Sequence, residues 1–249
     1  MEKLLILTYH AVDLRPSVIS VSPDLFQQQM ETLAHHKLEG MSLATAMKHH
    51  EQHGAFPDNS VVLSFDDGYL DLMNNVYPVL RDLDFTATVF VASAMIGMNA
   101  SQAHYANADF DRDLLGWDHL ETLLESGFEV GSHTLSHPRL SKLSDSEAEY
   151  ELGQSSRNLE RRLQVPIDSF AYPYGDMNRG VKEAASRFYK YACGTQLGRN
   201  PQKPDLLHLK RVDAYYLQKP KVFSRLCSGG LEAYLRLRQY ARNLKQLVS

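Results

Sequence analysis

The sequence predicts an α/β fold in which helices cover a parallel sheet. Three observations carry that prediction. Short apolar runs rich in β-branched residues recur along the chain, each followed by a stretch of helical periodicity. The runs are near-continuous rather than alternating, as expected of strands buried on both faces. No linker, repeat or low-complexity segment is long enough to divide the 249 residues, so residues 1–249 read as one domain. Its core would run from about 3 to 213, with a basic helical segment at about 219–249.

The elements follow in order. Residues 3–9 read as a strand. A helix then opens with Ser22 as N-cap and Pro23 at its first position, and Phe26, Met30 and Leu33 share one face. Residues 60–65 form a second strand, followed by helical sequence at 70–83 that Pro78 should kink or interrupt. Strands are expected at 86–92, 128–132, 169–172, 190–194 and 207–212. Helices are expected near 117–126, 145–163 and 179–188, and again at the end of the chain. Residues 93–116, including Asn107 to Asp113, read as an excursion from the sheet edge.

Composition narrows the function. With 43% apolar residues the chain can bury a large core. A net charge of -4 and a pI near 6.2 argue against nucleic acid as a partner. From Lys210 to Ser249 nine Lys and Arg face only Asp213 and Glu232, a local +7, so the rest carries -11. Cys193 and Cys227 are too few for a disulfide framework, and the apolar run at Leu4 to Leu7 is too short for a signal-peptide core. A reduced, cytoplasmic protein is the expectation.

Two short strings carry the chemistry, Ser64-Phe65-Asp66-Asp67-Gly68 and Ser132-His133-Thr134-Leu135-Ser136-His137-Pro138. Each follows an apolar run, so each should emerge at a strand's carboxyl end, where parallel α/β folds gather their active sites. Gly68 eases a turn after which two adjacent carboxylates converge while facing different partners. His133 and His137 have helical spacing, but the preceding strand and Pro138 place them on a loop. Two imidazoles and one carboxylate suit Zn²⁺, with Fe²⁺ as an alternative. The second carboxylate is one more than such a site needs, and a spare acid there serves a hydrolase as its base. Alone, an Asp-Asp-Gly turn or a pair of loop histidines would be ordinary; together at successive strand ends they read as a metal-dependent hydrolase. A third string, Ser169 to Gly175, runs a strand into Tyr172-Pro173-Tyr174-Gly175, whose backbone amides could face an oxyanion and whose rings could stack on a sugar.

Together and in this order, the strings resemble the polysaccharide deacetylase (NodB-homology) family of carbohydrate esterases, from Leu7-Thr8-Tyr9-His10 to Tyr174-Gly175 and on toward Arg211. The resemblance implies a distorted (β/α)7 barrel and removal of N-acetyl groups from sugars. By motif position Asp66 would be the general base, while Asp67, His133 and His137 would hold the metal. That metal would be Zn²⁺, with Fe²⁺, Co²⁺ or Ni²⁺ as alternatives. The Tyr174 amide would help bind the oxyanion. Many members carry an arginine where this chain has Ala171, so the group pairing with the base must come from elsewhere, and Arg211 is the candidate. The early Tyr9-His10 resembles the exopolysaccharide branch, in which an early histidine is the acid. His10 ends its strand at the reactive end, whereas His208 would begin its own.

His49 and His53, with His50, read as a solvated helix end; His35, His36, His104 and His119 have no companion ligands. Trp117 reads as a packing anchor. In the last helix Leu231, Tyr234, Leu235, Leu244 and Leu247 share a face among Arg236, Arg238, Arg242 and Lys245. That face would either close the barrel or meet an anionic membrane or lipid-linked glycan. The rival readings are an amidohydrolase of small nitrogen compounds and a carbohydrate-binding barrel without turnover.

Overall fold

A computed structural model describes residues 3–101, 111–228 and 230–248. Ten strands appear among them: β1 (Ile6–Tyr9), β2 (Ala11–Val12), β3 (Ser20–Val21), β4 (Glu39–Met41), β5 (Ser60–Phe65), β6 (Thr88–Val91), β7 (Glu129–Ser132), β8 (Ser169–Ala171), β9 (Tyr191–Leu197) and β10 (Leu209–Asp213). Seven of them, β1, β5, β6, β7, β8, β9 and β10, pair in parallel and close into a ring through β1 against both β5 and β10. All seven strands expected from the sequence are present, and the (β/α)7 barrel is observed.

Its distortion has a local cause. The short β4 pairs with the first half of β5 (Gly40 opposite Val61), whereas β6 pairs with the second half (Phe65 opposite Val89). Thr86 N donates to Gly40 O at 3.0 Å. A wedge therefore separates β5 from β6 at the amino-terminal end and vanishes toward the carboxyl end. Only glycine fits there, since a Cβ on Gly40 would lie 2.6 Å from the Phe85 ring and 2.7 Å from Leu63. The string Glu39-Gly40-Met41 has no apolar run, which is why periodicity misses it.

Apolar side chains from alternate strand positions, including Ile6, Val62, Phe90, Ala171, Cys193 and Leu209, form one cluster with Leu43, Ala46 and Met47 of α2 (Leu43–His53). By the two-residue strand period these fill the ring, and α2 closes its amino-terminal end. A larger cluster packs the outward strand faces under the helices. In α1 (Pro23–His35), Ser22 Oγ accepts from Leu25 N, and Phe26, Met30 and Leu33 are buried as predicted. The expected helix at 70–83 is instead a π-helical turn, Leu72–Val76, followed by α3 (Tyr77–Asp82). The break falls before Tyr77 because Pro78 is tolerated only in a helix's first turn, where its missing N–H costs nothing. The helices α4 (Trp117–Glu125), α5 (Asp145–Leu163) and α6 (Arg179–Ala185) match expectation, and α5 opens with a capping box between Ser144 and Glu147.

The described part of the excursion lies against the first loop. Arg112, 5% exposed, donates to Asp13 and to Ser20 Oγ, tying residues 111–116 to the β2–β3 turn. Asn107 to Phe110 and His104 lie outside the described residues. His49 and His50 are half-buried rather than solvated: they bond to the carbonyls of Ala55 and Gln202, and His50 stacks on Phe56. The chain ends in α7 (Pro220–Phe223), α8 (Arg225–Ser228) and α9 (Leu231–Val248). In α9, Leu231 and Leu235 are buried and Tyr234 half-buried against the main core, so this part of the apolar face covers the barrel. The side chains of Leu244, Lys245 and Leu247 lie outside the described ones. No helix of the described residues is long and apolar enough to cross a membrane.

Candidate active site

Asp66 and Asp67 leave the carboxyl end of β5, where Asp66 N still donates to Tyr9 O at 3.0 Å. The backbone then turns through the left-handed region at Asp67 (φ 71°) and Gly68 (φ 68°). Gly68 is needed twice over: for its φ, and because a Cβ would lie 2.7 Å from Val91. His133 leaves β7 in the same way, its N–H donating to Val91 O at 2.8 Å. The next residues fold back through left-handed Thr134 (φ 71°) and His137 (φ 59°), with His137 N donating to Thr134 Oγ1 at 2.9 Å. Glu151 of α5 accepts from the amides of Leu135 and Ser136 and holds the loop's tip.

These turns bring three side chains together. His133 Nδ1 lies 2.7 Å from the carbonyl of Ala171, a pure acceptor, so Nδ1 carries a proton and Nε2 is the ring nitrogen left to face the other two residues. His137 Nε2 lies 3.1 Å from that atom, and Asp67 Oδ1 lies 3.6 Å from His133 Nε2 and 3.3 Å from His137 Nε2. One ligand atom from each residue falls within 4.8 Å of the others. Burial, then His133, lowers the His137 pKa to about 3, keeping that ring neutral. Two imidazoles and a carboxylate, buried and convergent, fit a borderline divalent cation such as Zn²⁺. The His133 bond to a backbone carbonyl is the outer-shell support such ligands receive. Tyr69, which the sequence reading passed over, is buried and hydrogen-bonded to Asp67. Burial and that neighbouring charge hold its phenol protonated far above its usual range.

Asp66 has a different partner. Arg211 donates to it from Nη1 and Nη2, both at 2.7 Å, and from Nε to Gly194 O at 3.0 Å. Arg211 is 3% exposed, so this is a buried pair rather than a surface bridge. Burial alone would raise the Asp66 pKa, but Arg211, with His133 and His10, outweighs it and holds the carboxyl well below its usual range. His10 Nε2 stands 3.9 Å from Asp66 Oδ2. His208 immediately precedes β10, at the other end of the strand from this cluster. Ala171 packs inside the barrel, so Arg211 meets Asp66 from β10 instead.

A cavity of about 410 Å³ takes in Asp66, Asp67, His133, His137, His10 and Arg211. Tyr174 stands at its edge in the left-handed region (φ 60°), its hydroxyl 3.2 Å from His137 Nδ1 and its ring under the Arg139 guanidinium at 4.3 Å. All seven site residues expected from the sequence therefore line one cavity. Its far rim, with Thr195, Tyr215, Tyr216 and Arg242, was not foreseen; no motif surrounds those residues, and only the basic character of the last helix hinted at Arg242.

The family model described as polysaccharide deacetylase matches residues 53–192. The Streptococcus pyogenes deacetylase PplD, solved in complex with acetate, is 26% identical; the match covers 85% of this chain and 92% of that one, with a TM-score of 0.74. The poly-beta-1,6-N-acetyl-D-glucosamine N-deacetylase of Staphylococcus aureus is 27% identical over 168 residues, 64% of this chain, which spans only 55% of that protein's length. IcaB from Ammonifex degensii shares the fold, with a TM-score of 0.75 at 20% identity over 93% of this chain and 98% of that one.

Proposed function

The chain belongs to the polysaccharide deacetylase family, whose members hydrolyse amide bonds, and from that premise we propose that it removes N-acetyl groups from amino sugars of a polysaccharide or lipid-linked glycan, using a divalent cation held by Asp67, His133 and His137. One observation carries the reading: a carboxylate fixed by an arginine fork stands in the same cavity as the ligand triad and within 4 Å of a third histidine, His10.

Such a cation polarises an amide carbonyl and makes water easier to deprotonate. The chain's own residues do the rest. Arg211 fixes the plane of Asp66 and keeps it ionised, so a carboxylate oxygen accepts the proton of the attacking water. The left-handed turn at Tyr174 sets its backbone amide beside the cavity, where it donates to the oxygen that gains charge. His10, on the partly open side of Asp66, gives a proton to the departing nitrogen. Tyr69 and the Ala171 carbonyl hold Asp67 and His133 in orientation.

The test is metal content by atomic emission, with acetate release measured on a panel of N-acetylated glycans and one small non-sugar amide. Stoichiometric metal and acetate from a glycan, both lost to a chelator, are the expected results. Turnover of the small amide alone would put an amidohydrolase in its place, and glycan binding without acetate would leave a binding barrel. Contact with an anionic membrane has one support, the exposure of Leu237 (68%) and Tyr240 (63%) on α9. Failure to float with acidic vesicles at low salt removes that reading.

A further inference from the structure

The cavity contains a second arginine that the deacetylation steps do not use. Arg211 is fully engaged by Asp66 and Gly194, but Arg242, half-buried on α9, forms no ion pair among the described residues. It is nonetheless fixed in place, donating from Nη1 to Thr195 O at 2.8 Å and from Nη2 to Thr195 Oγ1 at 3.3 Å. Thr195 itself abuts the Tyr174-Gly175 turn, where a Cβ on Gly175 would fall 2.1 Å from its Oγ1. A guanidinium held by two bonds to one residue keeps other N–H donors for a ligand, and its ordering entropy is already met.

Aromatic surface lies beside it. Tyr215, 47% exposed, meets Tyr216 edge to face, with ring centroids 5.3 Å apart. Arg238 covers the Tyr216 ring at 5.7 Å and the Tyr234 ring at 5.2 Å, and it too has no ion pair among the described residues. Past these tyrosines a second cavity of about 340 Å³ continues along Lys219 and Arg238. Asp213, a carboxylate that lines the same cavity, already accepts from Tyr215 N at 2.9 Å. A path of tyrosine faces bordered by unpaired cations thus leads away from the catalytic cluster.

We propose that Arg242, with Tyr215 and Tyr216, forms a subsite for an anionic substituent of the glycan next to the N-acetylated sugar, a carboxylate or a phosphate. The fork of a guanidinium matches both groups, and a sugar face can stack on the rings. This rests on the deacetylase reading but makes a separate demand. Arg242 contacts substrate away from the bond that breaks, so it should act on KM rather than kcat.

The experiment compares three substrates: a neutral N-acetylglucosamine oligomer, the same length alternating with glucuronic acid, and an N-acetylglucosaminyl phosphate. The wild type should favour one anionic form by KM, with the preference shrinking as salt rises. Arg242→Gln should reduce the anionic-to-neutral ratio of kcat/KM about ten- to a hundredfold, Arg242→Lys should restore part of it, and Arg236→Gln, exposed on the same helix, should preserve it. Preference for the glucuronate chain assigns a carboxylate, preference for the phosphate a phosphate. Equal use of neutral and anionic substrates by wild type and Arg242→Gln would overturn the subsite while leaving the deacetylase intact. A binding arm is independent of turnover: the glucuronate oligomer without N-acetyl groups, titrated by calorimetry into metal-free protein, should bind wild type at least about tenfold more tightly than Arg242→Gln. Equal affinities would refute the subsite even if no substrate were cleaved.

Discussion

The two walls of the catalytic cavity are held by different means. On the first, Asp67, Thr134, His137 and Tyr174 all sit in the left-handed backbone region, each at a cost of about 1–3 kcal/mol. The His133–His137 turn is held in part by bonds short in sequence: His137 to Thr134, three residues away, and Leu135 to Glu151, sixteen away. On the second wall, His10, Thr195, Arg211, Tyr215, Tyr216 and Arg242 have ordinary backbone angles, and the two arginines are held by long-range contacts. Arg211 reaches Asp66 across 145 residues and Arg242 reaches Thr195 across 47. The stretch matched by the family model, 53–192, contains the first group entirely and none of the second. Strained turns that aim ligands are thus written compactly, whereas the groups that orient the base and line the rim are gathered singly from distant elements.

Removing the carboxylate between the two walls should have the largest effect. Asp66→Asn should reduce acetate release to background while atomic emission still finds the metal; full activity would remove Asp66 as the base. On the second wall His10→Ala should slow turnover by about 10²- to 10⁴-fold, the usual loss for a missing acid, and a wild-type rate would move that role elsewhere.

The contact joining the two walls is next. Arg211→Leu strands a buried carboxylate and should cost about 3–5 kcal/mol in urea unfolding, while Asp66→Asn combined with Arg211→Leu should recover much of it. The pair also has a pH signature. Because the folded Asp66 pKa lies below its unfolded value, the stabilisation is complete above about pH 4–5 and is lost as pH falls below the unfolded value of about 3.9. Melting midpoints of wild type should therefore fall more steeply under acid than those of the double variant. The smallest effect should be that of Tyr69→Phe, which removes one bond from Asp67 and should weaken metal affinity about 10- to 100-fold with the circular dichroism spectrum unchanged.

Much of this molecule is legible in its primary structure. The seven barrel strands read as apolar runs because both their faces are buried, and α1 announces itself through its Ser22 cap. The β4 wedge was invisible because three residues around Gly40 carry no period. Tyr69 was overlooked because a tyrosine after a glycine turn looks like any core aromatic until its hydroxyl meets Asp67. The apolar face of α9 was legible as one that closes the barrel or meets a membrane, and the burial of Leu231 and Leu235 shows that part of it closes the barrel.

By itself the sequence determined the barrel strands and the residues of the two strand-end turns, because burial period and turn chemistry act within a few residues. Arg211 and His10 were readable as candidates from the strand ends they occupy, but only the tertiary structure set their distances to Asp66 and brought Arg242 to the cavity. Closing the ring brings β1, β5 and β10 side by side, and chain separation carries no information about neighbours made in that way.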